Sequence, residues 1–450
     1  MNTGFDHMNW KPSIYNLILS QTGRHLIYNS VHSKILKVND RQMEIINNCL
    51  QEIERTGNYP NKKLLNSLVD CGFLVRHNVD ENQRERDKFL TNKLSRERLL
   101  LTIAPTMACN VRCSYCFQKN LNRRSFMSHD IQRGLIEFVR RKLKEVNGLT
   151  VQWFGGEPLL AYDEILTLSN EFQKLCNEVG IPYWAEMLTN GILLTPDIIE
   201  TFQDISIRAI QIPLDGNPKT YAERKQISLE KAENYYNFVI DNIQSIVDIT
   251  GSVTIRINVD RDNAEEAKSV VSMFKKKGII DPRIDFRLGF LNTSRGILDC
   301  IPHDCFSNTE FDDLEQEFRH YLAETGYMVY GMPVPLEFPC SAVVDNAYTI
   351  DPLGEIGKCV PATGTQQSMF GQIYPNNISR TLEEINLKEA PYSKFNPFDS
   401  QYCKGCNLLP ICLGSCPKMH EPDGVFACRL KEGFIEKLDF YYKFHKIHSK

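Results

Sequence analysis

The spacing of apolar residues changes three times along the chain. Over residues 13–38, short apolar runs at 15–19, 25–29 and 34–38 are separated by the turn-rich segments QTG and SVHS, which reads as three short strands. Asp40 is placed to cap a helix whose Met43, Ile46, Leu50 and Ile53 fall on one face. A second helix is expected over 61–71, stopping at Gly72, with FLV at 73–75 as a closing strand. Together these elements predict a small winged-helix-like module. Residues 76–97 carry dense charge of both signs with weak periodicity and read as a linker or a solvated helix.

From Leu99 the pattern turns to alternating strands and helices. Strands are expected at 99–104, 150–154, 183–188, 209–214, 253–259 and 284–288, with helices near 129–146, 163–178, 196–203, 229–247 and 263–277 between them and 310–325 after the last. Ile131, Leu135, Phe138, Val139 and Leu143 keep helical spacing, and Thr195 before Pro196 is a good helix start. Six β/α units in a row imply an α/β fold with a parallel sheet and right-handed crossovers, either open or a partial barrel. Chemistry in such folds sits on loops at the C-terminal ends of the strands. Beyond about residue 330 the periodicity fades and Pro, Gly and Cys take over. Such a segment needs something other than an apolar core to hold it, and metal is the natural candidate.

Composition removes several classes. With 450 residues, 42% hydrophobic and 24% charged, there is ample material for a core, and disordered or collagen-like chains are excluded. A net charge of −4 advertises neither nucleic acid nor an anionic membrane as partner. The N-terminal apolar run NLIL is too short for a signal-peptide core, and no window approaches the roughly eighteen apolar residues of a spanning helix. The expected location is cytoplasmic, where clustered thiols hold metal more often than they form disulfides.

That makes the 15 cysteines informative: two lie in 1–100, six in 101–339 and seven in 340–450. Cys49 and Cys71 sit in apolar stretches and are most simply core residues. Cys109, Cys113 and Cys116 form a C-x3-C-x2-C group directly after the first strand of the β/α array. Three thiolates at this spacing wrap one 4Fe-4S cluster and leave one iron without a protein ligand. The alternative is a zinc site completed by a remote fourth ligand. Cys340, Cys359, Cys403, Cys406, Cys412, Cys416 and Cys428 make a C-terminal framework.

With these residues the sequence resembles the radical SAM superfamily, whose signature is C-x3-C-x2-C after the first strand of a partial (β/α)6 TIM-like barrel. The resemblance implies that S-adenosylmethionine (SAM) chelates the open iron and is cleaved to a 5′-deoxyadenosyl radical that abstracts hydrogen. It implies further that Tyr115 lies near the adenine and that Gly155-Gly156-Glu157, ending the second strand, meets the SAM amine. Thr189-Asn190-Gly191 ends the third strand and the segment from Gln211 through Pro213 and Asp215 to Gly216 ends the fourth, as in many members. Relatives often have serine where this chain has Pro213. Arg224, Arg256 and Asn258 are candidates for polar contacts to SAM or for salt-bridged and hydrogen-bonded barrel residues. No acid or base is assigned a catalytic role.

The C-terminal spacing is similar to the SPASM domain, which implies two auxiliary 4Fe-4S clusters, three clusters in all. By that resemblance Cys403, Cys406, Cys412 and Cys428 ligate the outer one, and Cys340, Cys359 and Cys416 the inner one. The eighth thiolate is absent from 331–339, which leaves the inner cluster with an open site or with Cys300 or Cys305 as ligand. The expected domains are 1–90 for the module and its linker, 98–330 for the barrel and 331–450 for the SPASM region. The first of these resembles the leader-recognition element of maturases of ribosomally made peptides, which adds its ligand as a strand to a sheet edge. A DNA-binding winged helix is the competing reading; eight Lys/Arg against six Asp/Glu in residues 1–75 is thin for a phosphate-binding face.

Three functions follow. The first is a radical SAM oxidoreductase that crosslinks a precursor peptide through a C–C, thioether or ether bond, with a reductase, flavodoxin or ferredoxin as electron donor. The second is an anaerobic sulfatase-maturing enzyme that forms formylglycine. The third is a non-catalytic iron-sulfur electron carrier or zinc-stabilised interaction protein.

Overall fold

The computed structural model describes residues 9–21, 23–118, 125–291, 305–327, 329, 333–364, 369–385, 389–420, 428, 430, 434 and 437–443. The N-terminal module is built from β1 (Trp10–Pro12), β2 (Asn16–Gln21), β3 (Arg24–Asn29), β4 (Lys34–Val38), α1 (Asp40–Thr56), α2 (Lys62–Asp70) and β5 (Leu74–Arg76). Strands β2, β3 and β4 form an antiparallel sheet in that order, and β5 pairs antiparallel with β1. The cap of α1 is Asn39, not Asp40: its Oδ1 accepts from the Gln42 amide while the Gln42 side chain accepts from the Asn39 amide. This reciprocal box satisfies two otherwise orphaned donors and leaves Asp40 as the first helical residue.

Residues Glu81–Lys93 form α3, and the reading of 76–97 as solvated is corrected by its burial. Phe89 is 1% exposed and packs with Val343, Phe398, Cys403, Leu409 and Leu413. At one end of α3 the Glu81 carboxylate accepts from Ser13 Oγ at 2.7 Å and Ile14 N at 2.9 Å; at the other the Lys93 ammonium donates to the Ser393 and Phe395 carbonyls. Charge at the helix ends and one aromatic on its buried face hide the stripe from a periodicity count. The module is thereby fixed to the C-terminal region. Leu17, Leu26 and Tyr28 pack with Leu408, Ile411, Phe434 and Leu438, and Tyr28 Oη donates to the Pro333 carbonyl at 2.6 Å.

The β/α array follows as β6 (Leu99–Thr106), α4 (His129–Lys142), β7 (Leu149–Gly155), α5 (Tyr162–Val179), β8 (Tyr183–Leu188), α6 (Pro196–Thr201), β9 (Ile207–Pro213), α7 (Pro218–Lys225), α8 (Leu229–Thr250), β10 (Val253–Val259), α9 (Ala267–Lys276), β11 (Ile284–Phe290) and α10 (Asn308–Thr325). The six strands run parallel in chain order from β6 to β11. Inward residues such as Leu101, Val151, Met187, Ile210 and Ile255 are buried against the helices, forming one contiguous core. The sequence pattern did not announce α7, whose PKTYAERK is polar; its Tyr221, Ala222, Arg224 and Lys225 are nonetheless buried.

Beyond the array, β12 (Ala347–Ile350), β13 (Glu355–Gly357) and β14 (Met369–Gln372) extend the sheet, giving the order β11-β10-β9-β8-β7-β6-β12-β13-β14. Strand β12 pairs parallel with β6, Ala347 opposite Leu100 and Ile350 opposite Ile103. Every residue of β12 is buried, so no alternation betrays it. Among the described residues, no helix is long and apolar enough to cross a membrane.

Candidate active site

The C-terminal ends of β6 to β10 surround a cavity of about 330 Å3, a volume within the small-molecule range. Cys109, Cys113 and Cys116 line it together, with Gly155 and Gly156 from the end of β7, Asn190 after β8, Gln211 and Pro213 of β9, and Arg256 and Asn258 of β10. Pro213 therefore sits on the wall and offers no hydroxyl there.

Backbone contacts seat the cysteine loop. Gly155 adopts φ +125°, and a Cβ on it would lie 2.2 Å from the Thr106 carbonyl oxygen. A Cβ on Gly156 would lie 2.2 Å from the Ala108 oxygen and 2.5 Å from that of Met107. Only glycine allows the end of β7 this close to the chain entering Cys109. The Glu157 amide donates to the Ala108 carbonyl at 2.8 Å, and Asn190 Nδ2 donates to Asn110 Oδ1 at 2.7 Å. From the far side the last turn of α7 holds the loop: the Arg112 amide donates to the Lys225 carbonyl at 3.2 Å and the Ser114 amide to that of Arg224 at 2.9 Å.

The Glu157 side chain is fully buried and is not on the cavity wall. Its carboxylate accepts from Thr189 Oγ1 at 2.6 Å, Asn190 N at 2.8 Å and Leu159 N at 3.1 Å. Burial raises its pKa, and these three donors oppose the rise. Glu157 thus joins the end of β7 to the turn after β8.

Tyr115 lines the cavity with its hydroxyl turned into a buried network. It donates to Asp215, while Lys225 Nζ and Asn258 Nδ2 lie 3.3 and 3.2 Å from its oxygen. Burial and the Asp215 charge hold the phenol protonated. Burial works against the Lys225 charge, but Cys113 and Asp215 outweigh it and keep the ammonium protonated. Arg224 stands behind Tyr115, its guanidinium 4.8 Å from the ring centroid and paired with Asp260 at 2.7 Å; it is not on the wall. The cation of α7 that reaches the wall is the next residue, Lys225, which sequence reasoning missed because α7 itself was missed.

Ten of the described cysteines lie beside other cysteines, in three groups. Burial pushes Cys109 up to about 11, with Cys113 and Cys116 adding to the rise. Burial likewise raises Cys359 to about 11, with Cys340 and Cys416 as its thiol neighbours. Cys412 rises to about 12, its neighbours being Cys403, Cys428 and Cys406. Among the described residues no three His, Cys, Asp or Glu side chains converge tightly enough for a single metal ion. Val360 and Pro361, adjoining Cys359, line the cavity, so the second group borders it. Cys305 is disulfide-bonded in this structure, and Cys300 lies outside the described residues.

Residues 103–296 match the family model of the Radical SAM superfamily. The chain is 22% identical over 444 residues to the radical SAM cyclopropyl synthase TigE of Paramaledivibacter caminithermalis, covering 89% of this chain and 88% of that protein. It is 21% identical over 373 residues to a cysteine-type anaerobic sulfatase-maturating enzyme of Clostridium novyi, covering 75% and 95%. The fold is similar to that of native anSMEcpe with bound AdoMet and Cp18Cys peptide, with a TM-score of 0.55, 14% identity and coverage of 77% of this chain and 99% of that one. It is also similar to Streptococcus suis SuiB, with a TM-score of 0.50, 15% identity and coverage of 92% and 97%.

Proposed function

With residues 103–296 a radical SAM domain, the chain is a radical SAM enzyme, and from that premise we propose that it is a cytoplasmic maturase that crosslinks a ribosomally made precursor peptide. The observation that carries this reading is the N-terminal module, a three-stranded sheet with two edges and adjoining helices, fixed to the C-terminal region whose Val360 and Pro361 line the cavity. An extended leader segment fits such an edge, since main-chain hydrogen bonds supply affinity and alternate side chains supply selectivity. TigE, a cyclopropyl synthase, is similar over 89% of the chain, whereas anSMEcpe, which binds a peptide beside AdoMet, accounts for only 77%. The surplus favours crosslinking over formylglycine formation.

Cys109, Cys113 and Cys116 would hold the 4Fe-4S cluster that binds SAM, and together these supply a radical able to abstract hydrogen. The chain's own residues bind and orient. Gly155 and Gly156 let the backbone approach the SAM amine, Glu157 fixes the adjoining turn with Asn190, and Tyr115 offers a ring face to the adenine. Lys225 and Arg256 provide the positive wall that a carboxylate requires, and Arg224 stiffens Tyr115 from behind. Cys403, Cys406, Cys412 and Cys428 would hold one auxiliary cluster and Cys340, Cys359 and Cys416 the other, stores for the surplus electron. A reductase, flavodoxin or ferredoxin would supply the initiating electron. The domains proposed are 1–90, 98–330 and 331–450.

The test is anaerobic incubation of the reconstituted, reduced enzyme with SAM and the short peptide encoded beside its gene. A product lighter by two hydrogens is expected. A mass-neutral product would indicate epimerisation, and formylglycine in a sulfatase-motif peptide would select the second reading. No change in mass or chirality would count against both.

A further inference from the structure

Gln118, two residues past Cys116, is 5% exposed and lines the cavity. Among the described residues its Nε2 has no hydrogen-bond acceptor. Among the described residues it is the one buried side-chain nitrogen on that wall left in this condition. Four other side-chain groups on the wall are engaged: Asn190 with Asn110, Lys225 with Tyr115, Arg256 with Asn258, and Asn258 with Asp215. A buried donor without an acceptor is costly, so such a group in a ligand cavity is one whose acceptor arrives with the ligand.

The chemistry of the amide narrows that ligand. It is neutral, and the SAM carboxylate has stronger partners in the Lys225 and Arg256 cations on the same wall. A carboxamide carries a donor and an acceptor side by side, the complement of the C=O and N–H of a peptide unit. The same cavity is lined by the stacked rings of Phe117 and Phe154, 6.3 Å between centroids, and by Val360 and Pro361 from the C-terminal region. Apolar surface beside an amide whose donor is unengaged suits a chain of ordinary residues held by its main chain.

We propose that Gln118 binds a main-chain carbonyl of the substrate peptide and so sets which residue is presented for hydrogen abstraction. The assignment rests on the peptide-maturase reading and adds to it the residue that registers the substrate.

The test compares wild type with Gln118→Met, which keeps the volume and removes the donor, and with Gln118→Asn, which keeps the amide and shortens its reach. The readouts are the equilibrium dissociation constant for SAM and the ratio of modified peptide to 5′-deoxyadenosine released, using the peptide encoded beside the gene. Loss of one neutral hydrogen bond should lower that ratio roughly five- to tenfold, and shift the modified position, with SAM affinity within about twofold of wild type. The cluster absorbance of each variant reports its folding, and Gln118→Asn carries the test if Gln118→Met does not fold. An unchanged ratio and position in a wild-type enzyme that modifies the peptide would overturn this assignment alone. SAM affinity weakened by the same factor as the ratio would also overturn it, since the donor would then serve SAM. If wild type modifies no peptide, the maturase reading falls and takes this one with it.

Discussion

Gly156→Ala tests whether the close approach of β7 to the cysteine loop seats the cluster ligands. The added Cβ would stand 2.2 Å from the Ala108 carbonyl oxygen and 2.5 Å from that of Met107. A carbon and a carbonyl oxygen normally stop at about 3.3 Å, so one strand must retreat by about 1 Å. Both atoms are backbone, so no side chain can swing aside. The loop also cannot slide freely, because the Glu157 amide donates to the Ala108 carbonyl at 2.8 Å and Ala108 adjoins Cys109. Overpacking of this kind costs about 1–3 kcal/mol in stability. A displacement of about 1 Å at a reacting centre costs on the order of a hundredfold in rate. The assay is reductive SAM cleavage by anaerobically reconstituted protein, followed as 5′-deoxyadenosine, with iron content and melting temperature measured alongside. Gly278→Ala is the control: φ is +73° but nothing lies within 4 Å, so it should cost about 1 kcal/mol of backbone strain and spare the rate. A Gly156→Ala enzyme that cleaves SAM within about threefold of wild type would refute the reasoning, since the expected loss is far larger.

Other consequences can be checked directly. Phe89→Ala empties a site shared by Phe398, Cys403, Leu409 and Leu413, and should cost about 3–5 kcal/mol, read as a lower melting temperature with faster loss of iron to a chelator. Cys412→Ala and Cys416→Ala should each remove about four irons per chain, and the double variant about eight, if they belong to different clusters; a double variant no poorer than the singles would merge the groups. Asp351 is pushed up to about 6 by burial, above its ordinary value of 3.8, so its stability penalty is absent below pH 3.8, grows as pH rises, and is complete above pH 6. Asp351→Asn, which keeps an oxygen for the Leu353 and Glu355 amides, should therefore raise the melting temperature at pH 7.5 and hardly at all at pH 4. An equal gain at both values would show that ionisation is not the cause.

Where side chains alternate or recur with helical spacing, the sequence was a good guide. The strands at 183–188 and 253–259 have their predicted limits, and the amphipathic helices of the array follow their stripes. What escaped notice shares one physical trait: contact made by groups that a hydrophobic pattern does not register. Helix α7 buries Arg224 and Lys225 by pairing their charges with Asp260 and Asp215. Helix α3 buries Glu81 by hydrogen bonds to Ser13 and Ile14, and β1 is only three residues long. Of the site, the cysteines, the glycine pair and Tyr115 were legible from spacing. Lys225 and Gln118 were not, because their significance lies in which neighbours they meet or lack. Glu157 was legible as a residue but not in its placement, which depends on Thr189 and Asn190 arriving from another strand.

The pairing of β12 with β6 has a consequence for anyone who would recombine such enzymes. The ladder from Ala347–Leu100 to Ile350–Ile103 means that the first strand of the array has a neighbour on each side, β7 and β12. A chimera cut at residue 331 would strip β6 of one partner and expose a row of main-chain donors and acceptors, a template for aggregation. A transplanted C-terminal unit must bring its own matching strand. The natural unit of exchange is therefore a set of hydrogen-bonded strands, and its limits do not coincide with a single cut in the chain.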